Sequence, residues 1–430
     1  MKYYSYYPLQ IATQLRDQLA SEKRKLGFFF GAGTSMAVGL PGVQALTKQV
    51  EEKLKSPYKE LFTKIKASCD TDNIEVILNK VRTVRELLGE SEEEEVFGIN
   101  GKTTAQKLDV AVCTTISEII KGTPSNDTSP HSLFASWIYL NQKLRLNPIE
   151  IFTANYDLLI EEALESKRLP YFDGFVGSLN PYLIPECVEA ENNKIDQASY
   201  IPSSWLRLWK LHGSINWFLA QDLNGKKRIT RNTNRPLGQG DELMIYPSKQ
   251  KYDESRRLPF LVFQDRLRKF LSSGEVLFIV NGYSFNDDHL NEILFQALRS
   301  NKRLAITALL FGDFVDGKLV TSEKVLAFGE EYPNLSIIGP DKCCIGGVIS
   351  KWDNKEPELQ NTTFWDEEKE IFTLGDFKAF SSFLKWSYGI TDGTAEERNT
   401  TVTGSTDEEM LPPSNVPCVV STVEEPLISQ

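Results

Sequence analysis

The sequence contains no two cysteines separated by two residues, the spacing from which small zinc modules are built. For a chain of 430 residues its cysteines are few and irregularly placed: Cys69, Cys113, Cys187, Cys343, Cys344 and Cys418. Cys343 and Cys344 are adjacent, which is a poor geometry for a mutual disulfide. The pattern indicates a reducing compartment rather than a secreted, disulfide-bonded domain.

Long apolar runs are also missing. The longest, such as residues 276–280, are far shorter than the ~20 residues that cross a bilayer. The first fifteen residues lack a basic region followed by a continuous apolar run, so they do not resemble a signal peptide. We therefore expect a soluble cytoplasmic protein with no membrane contact.

An excess of positive charge is missing as well. Lys and Arg number 48 against 59 Asp and Glu, which disfavours a broadly basic face for nucleic acid. Residues 391–430 hold eight acidic residues, one basic residue and no aromatic residue, so we expect an acidic tail that is disordered or peripheral. The rest of the chain is nearly neutral and can hold a local basic face, but it contains no recognisable nucleic-acid-binding module.

What the sequence does contain is an alternation of strand-like and helical segments. The strand-like runs are 26–30, 149–153, 206–211, 243–246, 275–281 and 304–311, and the helical patterns between them include 156–167, 260–271 and 289–299. Such alternation predicts an α/β fold with a Rossmann-like, mostly parallel sheet and helices on both faces.

The helical pattern from residue 43 to residue 121 is too long for a simple crossover between two strands. It predicts an inserted helical module in which Ile74, Ile77, Leu78 and Val81 form one buried stripe. The acidic run at 90–95 is expected to be solvated. The predicted organisation is one α/β domain from 1–42 and 122–345, the module at 43–121, a C-terminal helical extension at 346–390 and the tail at 391–430.

The first candidate site directly follows the strand at 26–30. Its five residues are Gly31, Ala32, Gly33, Thr34 and Ser35. Glycines at such a turn let the backbone approach a pyrophosphate closely. The dinucleotide fingerprint is incomplete, because Met36 takes the place of its third glycine. From these residues alone, nucleotide binding and a plain tight turn are equal alternatives.

Asn155 and Asp157 follow the strand at 149–153. Ligands of open α/β sheets collect at the carboxyl ends of the strands, so both side chains are candidates for a cleft. The alternative is helix capping, for which Asn and Asp are both favoured. For this motif taken alone, capping is the stronger interpretation.

His212 and Gly213 stand at the end of the strand at 206–211. The chain has only three histidines, so one at a junction of strand and glycine is a candidate general base. The alternative is a structural histidine, which is the more frequent role of a lone one.

Gly282, Tyr283 and Ser284 follow the strand at 275–281 and are candidates for holding a phosphate or a ribose. Asp287 and Asp288 come next, and we expect one of them to cap the following helix. We predict no metal site here, because consecutive residues on one helical turn point in different directions.

In this order the segments GAGTS, TANYD, KLHGS and GYSFND resemble the sirtuin-like family, in its divergent prokaryotic branch. The resemblance extends from Gly31 to about His289 and is expected to reach the strand near 335–338. It implies that 1–42 and 122–345 form an NAD-binding catalytic domain.

The resemblance also implies roles for the candidate residues, with NAD+ as the substrate. Gly31 to Ser35 would contact the diphosphate, and Asn155 would lie by the nicotinamide ribose. Asp157 would lie near the carboxamide, and His212 would be the general base at the ribose hydroxyls. Gly282 to Ser284 would hold the adenosine side. No clear ribose-binding acid is present, so the choice between NAD and NADP stays open.

The departures from the family indicate which activity to expect. Sirtuin deacylases carry a zinc module built from two cysteine pairs, and this chain has none, so we expect no structural zinc and disfavour protein deacylation. The divergent branch resembles NAD hydrolases of bacterial anti-phage defence, with the HerA-associated type preferred. It implies NAD+ hydrolysis to nicotinamide and ADP-ribose, a homo-oligomer, and a partner such as a HerA-type ATPase or an Argonaute. The alternatives are an NAD- or ADP-ribose-sensing scaffold without turnover and an NAD-dependent deacylase.

Overall fold

A computed structural model describes residues 5–89, 91, 93–121, 127–189, 201–202, 204–221, 225, 227–232, 242–245, 254–353 and 362–387. The chain divides into one compact unit from Met1 to Ile390 and a second from Thr391 to Gln430. The predicted acidic tail is this second unit, and it lies outside the described residues.

Helices are distributed along the whole first unit. They are α1 (Pro8–Leu19), α2 (Ala32–Met36), α3 (Val43–Lys53), α4 (Tyr58–Cys69), α5 (Ile74–Leu87), α6 (Gly101–Ile120), α7 (Pro130–Asn141), α8 (Leu159–Ser166), α9 (Pro185–Glu189), α10 (Glu254–Leu271), α11 (Asp288–Ser300), α12 (Glu323–Glu331) and α13 (Phe377–Trp386). In the described parts of the chain, no helix combines the length and the apolar character needed to cross a bilayer.

The strands form a large central sheet, a smaller second sheet and short hairpins. They are β1 (Lys25–Phe30), β2 (Glu95–Val96), β3 (Ile99–Asn100), β4 (Glu150–Thr153), β5 (Tyr171–Phe172), β6 (Phe175–Val176), β7 (Tyr182–Leu183), β8 (Leu206–Lys210), β9 (Gly213–Gln221), β10 (Lys227–Arg231), β11 (Glu242–Ile245), β12 (Val276–Asn281), β13 (Leu304–Leu309), β14 (Asp313–Val315), β15 (Lys318–Val320), β16 (Leu335–Ile338), β17 (Lys342–Ile345), β18 (Val348–Lys351), β19 (Trp365–Asp366) and β20 (Ile371–Phe372).

Within the described residues, the central sheet has nine strands in the order β18-β17-β16-β13-β12-β1-β4-β8-β5. The strands from β16 to β5 in this order run parallel, and β17 and β18 are antiparallel additions at one edge. The prediction of an α/β fold with a Rossmann-like, mostly parallel sheet is therefore confirmed.

β1 lies in the middle of this sheet, and its sequence explains why. All its side chains from Leu26 to Phe30 are buried, as in a strand that is covered on both faces. Alternate side chains point to opposite faces. Phe29 accordingly packs into the core on one face, and Phe28 and Phe30 pack into the core on the other. The chain proceeds from β1 to β4 on one side and later returns to β12 on the other.

A second, antiparallel sheet has the order β11-β9-β10-β7-β6, and the sequence patterns did not predict it. The strand expected at 243–246 belongs here, where β11 pairs with β9, and not to the parallel sheet. A strand-like pattern is local, so it does not indicate which sheet the strand will join.

The insertion between β1 and β4 contains α3 to α6, as the prediction of a helical module requires, and also the short β2–β3 hairpin. The predicted stripe of α5 is buried in a core that these helices share. Ile215, Phe218 and Leu243 of the second sheet complete that core, so the module packs against this sheet.

The segment after residue 345 is not the helical extension that its pattern indicated. β18 pairs with β17 at the edge of the central sheet, and β19 and β20 form a hairpin. α13 follows, with Phe377, Phe380 and Phe383 buried in the core on one face of the sheet. Strands of two to four residues are too short to show the alternation by which a strand is recognised.

Candidate functional site

The four predicted loops meet at one edge of the parallel sheet. Gly31 follows β1, Asn155 comes just after β4, His212 just after β8, and Gly282 follows β12. These strands are neighbours in the order β8-β4-β1-β12 and run in the same direction, so their carboxyl ends lie side by side. Because the strand order reverses at β1, this edge is the switch point at which open α/β sheets form their ligand crevice.

The first and fourth loops pack backbone against backbone. The N–H of Gly31 donates to the carbonyl of Asn281 at 3.1 Å, and the N–H of Gly33 donates to the carbonyl of Gly282 at 2.9 Å. A Cβ atom on Gly33 would lie 2.7 Å from the Cα of Gly282. A Cβ atom on Gly31 would lie 2.4 Å from the carbonyl oxygen of Gly282. The contact between the loops therefore requires glycine at both positions.

Gly282→Ala is expected to destabilise the protein by clearly more than a change of backbone preference alone. Gly282 has a φ of +69°, and its added Cβ would lie 2.6 Å from the amide nitrogen of Thr34. The left-handed conformation costs a non-glycine residue about 1–2 kcal/mol, and the clash adds to that. Thermal denaturation measures the loss.

Gly317→Ala is the matched control. Gly317 has a similar φ of +77°, but an added Cβ would meet nothing within 4 Å. Gly317→Ala should therefore show the conformational cost without the clash. Equal losses of thermal stability in the two variants would contradict the tight packing of the loops.

The side chain of Asn155 ties the second loop to the first. Asn155 is buried, and its Nδ2 lies 3.0 Å from the carbonyl oxygen of Gly31, 3.0 Å from Oγ1 of Thr34 and 2.8 Å from Oγ of Ser35. The structure thus brings residues predicted from two separate motifs into direct contact. The amide organises the glycine loop in addition to any contact with a ligand.

Asp157 is buried and contacts both the start of α8 and the first loop. Its Oδ1 accepts the N–H of Leu159 at 3.1 Å, a local turn contact one residue before Leu158, the N-cap of α8. Its Oδ2 accepts the hydroxyl of Ser35 at 2.6 Å, within the candidate site. The carbonyl of Asp157 also accepts from the buried ammonium of Lys210, which pairs with Glu161 at 2.8 Å. Asp157 is therefore a fixed anchor for the first loop.

His212 is buried and is flanked by carboxylates. Its Nε2 lies 3.1 Å from Oδ2 of Asp287, and its Nδ1 lies 4.0 Å from Oε1 of Glu75. Asp287 also accepts the N–H groups of His289 at 2.9 Å and Leu290 at 3.1 Å, which confirms that an aspartate caps this helix. The capping aspartate is thus also the partner of the imidazole.

Glu75 is a site residue that the sequence reasoning missed. It belongs to α5 of the inserted module, where it resembles any solvated residue of an amphipathic helix. The hydroxyl of Tyr156, in the loop after β4, donates to its Oε1. The sequence offers one local feature here: Asn73 is a favoured N-cap residue and predicts where α5 begins. It does not indicate which groups Glu75 contacts.

The charges around His212 perturb one another. Burial raises the pKa of Glu75, while His212 and the Tyr156 hydroxyl oppose the rise. Burial also acts to raise the pKa of Asp287, but hydrogen bonds from His212 and from the α11 amides outweigh it, so this pKa lies below its ordinary value. Asp287 is therefore the ionised partner of the imidazole, and Glu75 is the carboxylate that is protonated first as the pH falls.

In the fourth loop, the ring of Tyr283 lies in the core rather than at the carboxyl edge of the sheet. The Tyr283 hydroxyl donates to Oδ1 of Asn291 at 2.8 Å, and its ring packs edge-on against Phe29 in the core. The nucleotide contact predicted for Tyr283 could therefore involve only the backbone of this residue. Ser284 is exposed, and so is Ala32 at the start of α2, where an N–H group has no acceptor within the helix.

The assembled site holds a buried amide, an imidazole between two carboxylates, and two glycine loops in contact. An imidazole in this setting can accept and release a proton, and the amide can orient a polar ligand without adding charge. Among the residues that the structure describes, no three His, Cys, Asp or Glu side chains are grouped to hold a metal ion. The expected lack of a structural zinc stays a prediction.

Comparison with known protein families matches residues 149–324 to a SIR2-like domain. The matched range contains the loops with Asn155, His212 and Gly282. The loop at Gly31 and the module that carries Glu75 lie outside it. No curated protein matches this chain.

Solved structures of Sir2 proteins are similar to this chain at low identity. One, described for the mechanism and regulation of Sir2 enzymes, is 13% identical, covers 69% of this chain and 84% of its own, and has a TM-score of 0.33. A Sir2 homologue in complex with NAD is 14% identical, covers 72% of this chain and 84% of its own, and has a TM-score of 0.31. A mutant Sir2 homologue with ADP-ribose is 14% identical, covers 69% and 83% respectively, and has a TM-score of 0.32.

Proposed function

We propose that this chain is an NAD+ hydrolase that cleaves the nicotinamide–ribose bond and releases nicotinamide and ADP-ribose. The observation that carries the proposal is the convergence of Asn155 and His212, both buried, with two glycine loops at the switch point of the parallel sheet. The SIR2-like match over residues 149–324 supports NAD+ as the nucleotide.

The residues present suit a dinucleotide. A diphosphate binds close to the backbone of glycine-rich turns, and the loops that contain Gly31, Gly33 and Gly282 lie side by side at the switch point. The ribose hydroxyls of a dinucleotide need polar partners, and Asn155 and His212 are polar groups at the ends of nearby strands. The resemblance assigns the adenosine side to the loop of Gly282.

Cleavage of the nicotinamide–ribose bond develops positive charge on the ribose, as glycoside hydrolysis does. We assign His212 as the general base that takes a proton from a ribose hydroxyl or from the attacking water. Water adds its oxygen to the ribose, the electrons of the broken bond leave with nicotinamide, and the proton passes through His212 to solvent. Asp287 orients the ring and stabilises the imidazolium, while Asn155 orients ribose or water with a neutral amide.

Incubation of the purified chain with NAD+ alone, followed by product analysis, tests the proposal. We expect nicotinamide and ADP-ribose in equal amounts. Turnover that requires an acyl-lysine peptide would instead indicate a deacylase. Tight binding of ADP-ribose with no turnover, in the presence or absence of a partner protein, would indicate a nucleotide-sensing scaffold.

The cellular role that we propose is that of an effector of bacterial anti-phage defence, which depletes NAD once it is triggered. An unrestrained NAD+ hydrolase would harm its own cell, so its activity has to be controlled by assembly. We propose a homo-oligomer and a partner such as a HerA-type ATPase, or an Argonaute, to which nucleic-acid sensing is assigned. A monomer with full activity and no partner, shown by mass measurement and an NAD assay, would contradict this.

A further inference from the structure

Glu75 reaches the candidate site from outside the parallel sheet. It is the second residue of α5, in the module inserted between β1 and β4. Asn73 caps this helix by accepting the N–H of Glu75 at 2.9 Å, so the start of the helix determines where Glu75 lies. Its side chain is only 18% exposed, whereas a carboxylate on a solvated helix face stays in water. Glu75 is therefore held against specific partners.

Those partners are the imidazole of His212 and the hydroxyl of Tyr156. Oε1 of Glu75 lies 4.0 Å from Nδ1 of His212, and the same oxygen accepts the hydrogen of Tyr156. Nε2 of His212 lies 3.1 Å from Asp287. The titratable groups that face the ring thus come from the inserted module, the loop after β4 and the start of α11.

The contact with Asp287 decides which ring nitrogen is basic. An ionised carboxylate only accepts hydrogen bonds, so the hydrogen of a neutral His212 ring lies on Nε2 and the lone pair lies on Nδ1. A proton taken up at Nδ1 creates an imidazolium between two carboxylates. Glu75 is too distant for a direct hydrogen bond to Nδ1, but in a buried site it is near enough for substantial Coulomb attraction.

We propose that Glu75 is a positioning residue that acts on His212 from the inserted helical module. The position of this module would then determine how readily the imidazole of His212 takes up a proton. The inference rests on the proposed function, in which His212 is the general base. It provides a route for regulation, because a contact that shifts the module changes the environment of His212 without touching NAD+.

The first test follows the His212 ring and requires no activity. With isotope-labelled histidine, the three ring signals are recorded by NMR against pH, and His212 is assigned from the signal lost in His212→Gln. Glu75→Gln keeps an acceptor for Tyr156 and removes the charge. The titration midpoint of the His212 signal should then fall by about one pH unit, because the imidazolium loses a nearby opposite charge.

Glu86→Gln is the matched control, since it removes an exposed carboxylate from the same helix and should leave the midpoint in place. If Glu75→Gln does not fold, Tyr156→Phe provides the second route. It removes a hydroxyl that supports the ionised form of Glu75, so it should move the midpoint in the same direction by a smaller amount. A midpoint that is unchanged in the folded variants overturns the proposal.

The second test uses NAD+ cleavage. Glu75→Gln should lower kcat about tenfold with little change in KM, and should move the acid limb of the pH profile to lower pH. A merely structural role would lower thermal stability without moving either the acid limb or the ring midpoint. If the native protein cleaves no NAD+ but the midpoint still shifts, the coupling stands and the proposed function fails. An active enzyme with an unchanged midpoint refutes the coupling alone.

Discussion

His212→Ala is expected to lower the rate of nicotinamide release about 10²- to 10⁴-fold, which is the usual contribution of a general base. The ring is buried and held by Asp287 at 3.1 Å, so no other group can move into its place without rearrangement. Steady-state assays with NAD+ measure the rate, and calorimetry with ADP-ribose measures binding. We expect binding to change less than the rate, because the proton transfer is lost while both glycine loops stay in place.

His289→Ala is the matched control for this prediction. His289 is exposed in the first turn of α11, and its backbone N–H, which donates to Asp287 at 2.9 Å, is retained in the variant. Its rate should equal that of the native protein. Native turnover by a correctly folded His212→Ala protein would remove His212 from the mechanism, and with it the hydrolase proposal.

Asn155→Ala is expected to lower NAD+ cleavage about 10²-fold or more, because the glycine loop loses the group that orients it. Three oxygens, on Gly31, Thr34 and Ser35, lie within 3.0 Å of its Nδ2, and alanine would leave them without this donor. A lost hydrogen bond costs about 0.5–1.5 kcal/mol, so thermal stability should also fall. Product analysis and thermal denaturation measure the two effects separately.

Asn155→Asp distinguishes the hydrogen bonds that the Asn155 amide donates to the first loop from the effect of side-chain size. It has nearly the same shape but replaces the donor with a carboxylate close to Ser35, whose hydroxyl already donates to Asp157 at 2.6 Å. We expect activity to be at least as low as in the alanine variant. Asn180→Ala, at an exposed position, should behave as the native protein does. Native activity in both Asn155 variants would contradict a role for this residue.

The place where the four motifs meet was predictable from local patterns. Each motif was recognised as polar or glycine-rich residues directly after an apolar run, and the ends of neighbouring parallel strands necessarily lie together. The strands at 26–30, 149–153, 206–211 and 275–281 correspond closely to β1, β4, β8 and β12. The two carboxylate oxygens of Asp157 make separate contacts with Leu159 and Ser35, and its contact with a ligand stays a prediction.

The partners of His212 were not predictable in the same way. Asp287 was expected to cap a helix, and it does, but its contact with a ring some 75 positions earlier in the chain depends on how β8 and β12 are arranged in the sheet. Glu75 had no distinguishing local feature at all. The second sheet and the strands after residue 345 were missed for a related reason, since short or antiparallel strands show their pairing only once the chain has folded.

The class of fold and the segments that meet at the carboxyl edge of the sheet were readable from the sequence alone. Both follow from short-range properties: the burial of apolar runs, the freedom of glycine, and polar residues where strands end. Which groups act on one another at this edge became visible only in the folded chain. It placed Asp287 and Glu75 on opposite nitrogens of His212, and bound Asn155 and Asp157 to the first loop. Charge and hydrogen bonding act over a few ångströms in space, and chain positions alone do not specify those distances.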